Sequence, residues 1–241
     1  MKYCVRSVEV TDSTNSDIKR GLERSEIDEL PFVLTAEMQT AGRGRFGKEF
    51  YSPKGGLYFS AAFAASQVRF SADLLTVAVG VAVSLAIESK CGGKAEVKWV
   101  NDILYGGKKV CGVLCESVRS ERHGDTVYIV GVGVNTCPEA LGDFMPEKVG
   151  ALRLACPNSE LMHEILARLC DILERSDTQF LSHYNERLGL RGKTIEILVR
   201  GKAERAEVEC VEAEGLKCRL SGGEYAFVRS YGEILSDLYE V

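Results

Sequence analysis

VKWVNDILYGGKKVCGVLCE, residues 97–116, is the stretch that decides how this chain folds. Two apolar runs flank Gly106–Gly107, the pattern of a two-residue type I′ hairpin whose central residues both need positive φ. With those glycines as the loop, Leu104 faces Lys109 and Asp102 faces Cys111. Directly opposed residues share a sheet face, so Lys98, Asp102 and Lys109 project to one side, among Val100, Leu104, Val113 and Cys115. An acid and two lysines amid apolar neighbours are costly unless they serve each other or a ligand; a solvent-facing trio is the alternative. A slip of one residue would turn Lys108 inward in place of Lys109.

Outward from this hairpin the chain alternates in type. VRSVEV at 5–10, PFVLTAE at 31–37 and GLYFSAAF at 56–63 read as strands, as do AEVKWV before the glycine pair and TVYIVGVGVN after it. DSTNSDIKRGLER at 12–24 reads as a helix capped by Ser13 or Thr14, with Asp17 in its first turn. LLTVAVGVAVSLAI at 74–87 reads as a buried helix starting near Ser71 and ending at Lys90–Gly92. It falls short of a hydrocarbon core of about 30 Å. Leu161, Ile165, Leu169 and Ile172 recur at helical spacing within 159–175, and a further helix covers 178–187. From residue 190 the helical patterns stop, and short alternating strands separated by glycine turns predict a small antiparallel barrel or sandwich. Fifty residues make a thin core, so this part should lean on the rest. The expected class is therefore α+β, a mixed sheet with flanking helices, with domains at 1–188 and 189–241.

Composition narrows the function. The chain has 241 residues and a formal net charge of −5, which argues against a general nucleic-acid binder. Nine cysteines are scattered without a C-x-x-C pair, and there are three histidines. That supply predicts reduced, mostly buried thiols, no structural zinc and a cytoplasmic protein. The start, MKYCVRSVEVTDS, lacks a secretory apolar core.

Against this acidic background stands AGRGRFGKEF at 41–50, a loop between two strands. In an extended segment Arg43 and Arg45 point the same way. The interleaved glycines let backbone N–H groups form a nest for a phosphate or carboxylate. Without an anion, like charges and glycine entropy leave the loop little reason to be ordered. A mobile surface turn and an RNA-contacting arginine–glycine tract are the competing readings, the second without the repeated aromatics such tracts use. Further on, VGVGVN at 130–135 lacks the third glycine and the following helix of a dinucleotide fingerprint. Its glycines fit a strand that something packs closely against. Asn135 at its end is either a ligand contact or a turn cap.

Together these pieces resemble the biotin–protein ligases. The resemblance rests on DSTN at 12–15, Gln39 with AGRGRFGK, KWVND at 98–102, GKKVCGVLCE at 107–116 and GVGVN at 131–135, in that order. It implies a class II synthetase-like catalytic domain and, from about 190, an SH3-like C-terminal domain. With only eleven residues before DSTN, the chain resembles the monofunctional type without an N-terminal DNA-binding domain. The implied reaction joins biotin and MgATP into biotinyl-5′-adenylate, then passes the acyl group to a lysine of a biotin carboxyl carrier protein. Matched position by position, Ser13, Thr14 and Gln39 would hold the biotin ring, and Arg43, Arg45, Lys109 and the backbone at Gly112 the carboxylate and phosphate. Lys98, Asn101 and Asp102 would handle ATP phosphates, Mg2+ or the incoming lysine, with Asn135 on the nucleotide side. Lys109, Arg45 and Asp102 are the expected catalytic residues, and Asp102 the one candidate magnesium ligand. Phe46, Phe50 and Val100 depart from the arginine, tryptophan and proline common in the family. A lipoate–protein ligase shares the chemistry class, and a non-catalytic nucleic-acid module would rest on the basic loop alone. No membrane partner is expected, and a homodimer through an exposed strand edge is possible.

Overall fold

The structure, a computed structural model, describes residues 1–142, 146–176, 178–229 and 231–235. A seven-stranded mixed sheet organises the first part. Its strands are β1 (Cys4–Thr11), β2 (Phe32–Gln39), β3 (Leu57–Ala64), β4 (Ala95–Lys98), β5 (Asp102–Tyr105), β6 (Lys108–Ser120) and β7 (Asp125–Val134). In space the order is β1-β2-β3-β7-β6-β5-β4. Only the β1–β2 pair is parallel. Helix α1 (Thr14–Glu23) makes that crossover, because parallel strands cannot be joined by a tight turn.

The period-2 alternation of β7 sorts the two faces of the sheet. Val127 and Ile129 pack with Ile18 and Leu22 of α1, whereas Val130, Val132 and Val134 join the larger core. That larger core holds α2 (Leu75–Cys91), α4 (Asn158–Leu173) and α5 (Phe180–Arg187). A short α3 (Pro138–Leu141) follows β7. Helix α2 is apolar nearly all round and buried accordingly. A 3-10 turn at Ala72–Leu74, capped by Ser71, runs straight into it. The joined helix Ala72–Cys91 has the extent read from its caps, and with 20 residues it could by length and composition cross a membrane, although the apolar run at 74–87 read as too short to do so. Two-thirds of it is buried inside the protein, and the core explains its apolar character.

The last strands, β8 (Thr194–Val199), β9 (Lys202–Glu212), β10 (Gly215–Leu220) and β11 (Tyr225–Val228), form one antiparallel sheet. The chain then returns so that Ile234 pairs with Ile197 of β8. Ile195, Val208, Val211 and Leu216 belong to the same continuous core as α2 and α5. Asn185 ties the two sheets: its Nδ2 donates to the Val211 carbonyl at 2.9 Å and its Oδ1 accepts from the Val211 N–H at 2.6 Å. The thin C-terminal core does lean on the first.

The hairpin at Gly106–Gly107 forms with both glycines at positive φ, but its register departs from the expectation. Leu104 faces Lys109 as read, then the ladder shifts by one. Val110 is the extra residue, so Asp102 faces Gly112 and not Cys111. Such a bulge re-aims every side chain beyond it. Val113 therefore turns into the core on the far face, away from Asp102, and Cys115, two residues on, packs on that same side. A perfect ladder would have put Lys109 and Gly112 on opposite faces; the bulge puts them on one.

Candidate active site

On the α1 side of the sheet lies a cavity of about 400 Å³, within the size range of small-molecule sites. Its floor is made of glycine. Gly112 of β6 and Gly133 of β7 sit directly opposite each other, and Gly131 lies opposite Leu114. A Cβ on Gly133 would come 2.5 Å from the Phe50 ring, and one on Gly131 would come 2.3 Å from Asn15 Oδ1. The close approach expected from VGVGVN is therefore real, and Phe50 and Asn15 make it.

The N-terminus of α1 forms one wall. Ser13 is the N-cap, leaving the Thr14 side chain for other contacts. Thr14 N–H and Oγ1 donate to Gln39 Oε1 at 2.9 and 3.1 Å. Gln39 Nε2 donates to Ser52 Oγ at 2.8 Å, so the Gln39 amide orientation is set from both ends. Ser60 Oγ lies 2.7 Å from Thr14 Oγ1 and 2.5 Å from Asn15 Oδ1. Just outside, Asp12 grips Arg20 through two bonds of 2.8 and 2.7 Å. That guanidinium holds the Asp12 carboxyl well below the usual carboxylate range.

The glycine–arginine loop forms the opposite wall. Gly44 N–H donates to the Lys48 carbonyl at 2.7 Å and Phe50 N–H to the Gly42 carbonyl at 2.9 Å. Arg43 pairs with Glu49 across a β-bridge, and Phe46 and Gly47 turn the tip at positive φ. Backbone bonds close this segment into a small hairpin of its own. Gly42 is required there: a Cβ would lie 2.3 Å from the Phe50 carbonyl. Phe46 stands 70% exposed at the tip, with the Arg45 guanidinium 5.1 Å from its ring centroid.

Lys109 Nζ meets Asp102 Oδ1 at 2.6 Å, both largely buried. Asn101 reaches across to β6: its carbonyl accepts from Val113 N–H at 2.9 Å and its Nδ2 donates to the Val113 carbonyl at 3.1 Å. Ser13, Thr14, Gln39, Arg43, Arg45, Asn101, Asp102, Lys109 and Gly112 all line the cavity. Two sequence candidates do not. Lys98 is buried opposite Asp102 in the β4–β5 ladder. Asn135 is buried too, and its Nδ2 donates to the Gly150 carbonyl at 2.9 Å.

Sequence reasoning missed Asn15, given no role of its own, and Lys148 with Val149. The latter arrive through pairing alone: Lys109 N–H donates to the Lys148 carbonyl at 2.8 Å and Gly150 N–H to the Lys109 carbonyl at 2.9 Å. No local pattern signals such a bridge. Among the described residues the cavity wall carries five cations, Arg43, Arg45, Lys48, Lys109 and Lys148, against two carboxylates, Glu49 and Asp102. Burial pushes the nearby Cys115 thiol up to about 11 and raises Cys111 as well, so neither supplies a thiolate at neutral pH.

Residues 7–135, more than half the chain, match the family model described as the biotin/lipoate A/B protein ligase family. The chain belongs to that family. The bifunctional ligase/repressor BirA of Bacillus subtilis is 29% identical over 153 residues, which cover 63% of this chain and 47% of that protein. The chain thus spans about half or less of the length of several curated relatives it matches. The biotin--[acetyl-CoA-carboxylase] ligase of Mycobacterium tuberculosis is 27% identical, over 93% of this chain and 86% of that one. Among solved structures, the biotin protein ligase of Aquifex aeolicus in complex with biotin and ATP superposes with a TM-score of 0.76 at 25% identity. It covers 96% of this chain and 97% of its own. In this family member the matched segment ends at Asn135, and the cavity borrows its last wall from beyond it.

Proposed function

We propose that the protein is an ATP-dependent biotin–protein ligase. The observation that carries this reading is a cavity whose described lining has a cation surplus in an acidic protein, together with the neutral hydrogen-bonding groups of Thr14, Asn15 and Gln39. A ligand that fits has an uncharged polar head and an anionic tail. In the first step a biotin carboxylate oxygen bonds to the α-phosphorus of ATP, and pyrophosphate leaves. Two anions must approach, which costs dearly unless fixed cations stand ready. Arg43, Arg45 and Lys109 supply them, while Thr14, Asn15 and Gln39 present fixed polar groups to the ureido ring. In the second step a carrier-protein lysine attacks the acyl carbon, and AMP leaves. Asp102, held on Lys109, is the carboxylate placed to orient that amine.

Magnesium enters as part of the nucleotide substrate. Among the described residues no group of three or more His, Cys, Asp or Glu side chains is placed to hold a metal ion. One carboxylate plus substrate phosphates fits magnesium. Asn101 remains in this reading on the nucleotide side. Lys98 stands beside Asp102 in the β4–β5 ladder, and Asn135 braces the segment carrying Lys148. Acyl transfer through a cysteine is disfavoured by the neutral thiols at 111 and 115.

Lipoate is the second candidate acyl group, because the matching family model spans both acids. Incubation with MgATP, a biotin carboxyl carrier domain and either biotin or lipoate decides between them. The expected result is biotin on the carrier lysine and biotin-dependent ATP–pyrophosphate exchange; exchange driven by lipoate alone overturns the biotin assignment.

A further inference from the structure

Glu116 is not part of the cavity wall, yet its carboxylate touches two residues that are. Oε2 accepts from Asn15 Nδ2 at 2.8 Å, and Oε1 lies 3.6 Å from Arg43 Nη2. Those partners come from opposite sides of the site. Asn15 is in the first turn of α1, packed on Gly131 and Ser60. Arg43 is on the binding hairpin, where its Nη1 also donates to Ser16 Oγ at 3.4 Å. Glu116 itself is opposite Ile129 in the longest ladder of the sheet, so its backbone is the fixed member of the three.

We propose that Glu116 is a positioning residue that anchors Arg43 to the sheet, so that the hairpin wall and the α1 wall are set at a fixed separation before ligand arrives. The proposal rests on the acyl-adenylate reading for the identity of the ligand, but not for the tether. With the Arg43 side chain about half exposed, the pair adds little to folding stability. Its effect is to restrict where the guanidinium goes. A planar guanidinium offers donors on more than one edge, so Arg43 can keep Glu116 on one edge while receiving an anion on another. Asn15 fills the other carboxylate oxygen, which keeps Glu116 from turning to solvent. Binding to a prepositioned cation wastes less ordering entropy, and this predicts an effect on KM more than on kcat.

Glu116→Gln is the informative variant, because its amide oxygen still accepts from Asn15 while the charge facing Arg43 is gone. The expected result is a several-fold rise in KM for biotin, with kcat within about twofold of wild type. Trypsin cleavage after Arg45 in ligand-free protein should speed up several-fold at unchanged thermal stability. In an Arg43→Ala background, Glu116→Gln should alter neither quantity further. An unchanged KM and cleavage rate, or an equal effect with and without Arg43, overturns the proposal. If the wild type shows no biotin-dependent exchange, the ligase reading fails, and the cleavage rates by themselves still decide whether Glu116 tethers the hairpin.

Discussion

The floor of the cavity and its charged wall are built in opposite ways. The β6–β7 floor is a ten-pair ladder with a core on its far side, and it carries glycine where side chains would fill the site. The hairpin at 42–50 has no core. It is held by its own backbone bonds, by Gln39–Ser52 at its base and by Arg43 at its side. The floor supplies shape and the hairpin supplies charge. A rigid surface can be stripped of side chains without collapse, because its stability comes from the other face. The charge that must meet an incoming anion sits on a segment with few buried contacts of its own, so contacts from neighbouring elements, such as Glu116 on Arg43, set where it points.

This contrast can be broken most directly at Gly131. Gly131→Ala drives a methyl into Asn15, which hydrogen bonds to Ser60 and Glu116 hold in place. The expected loss is about 1–3 kcal/mol of stability, read by denaturant unfolding, together with loss of ligand binding. A stable, active variant would mean the floor is not tightly specified. At the border between floor and wall, Lys109→Ala should slow adenylate formation at least tenfold, about 1.4 kcal/mol, with some cost from the unpaired Asp102. An unchanged single-turnover rate would remove Lys109 from the chemistry.

On the hairpin the expectation reverses. Arg45→Gly should leave the unfolding midpoint near wild type and shorten retention of the acyl-adenylate about fivefold, from about 1 kcal/mol of lost charge-assisted bonding. A dissociation time-course checks it; equal retention would mean that Arg45 is not a wall of the site. The smallest effect lies at Asp12, whose carboxyl the fold holds ionised below its ordinary range. The stabilisation from Asp12–Arg20 is then complete above about pH 4 and fades as the pH falls below it. With both side chains more than a third exposed, it amounts to about 0.5 kcal/mol. Asp12→Asn should remove that acid-side slope while leaving the cavity intact, which thermal melts between pH 3 and 7 would show.

Much of the plan was legible before any coordinates. The alternation of β7, the helical spacing of α4 and the cap at Ser13 are local patterns, and local patterns report local geometry. Gly-Arg-Gly-Arg and Lys-Trp-x-Asn-Asp drew attention to Arg43, Arg45, Asn101 and Asp102, all of which line the cavity, because a dense cluster of unlike demands seldom has a purely structural cause. Lys98 and Asn135 were harder. Both are polar residues near an active site, and residue type does not say whether a polar atom faces a ligand or is bonded within the protein. The hairpin register failed at Val110, where one extra residue is invisible in an apolar run.

What the amino-acid sequence determined by itself is the order of elements, which residues are apolar or charged along each, and hence the class of fold and the chemistry on offer. Tertiary structure decided which face each charge uses. The bulge at Val110 swung Gly112 to the side of Lys109 and Asp102 and turned Val113 away from it, and the pairing of Lys109 with Lys148–Gly150 brought a distant cation to the wall. The physical reason is that side-chain direction in a sheet has period two. A single-residue shift costs little in local energy and reverses every direction after it, so only packing against both faces can select the outcome.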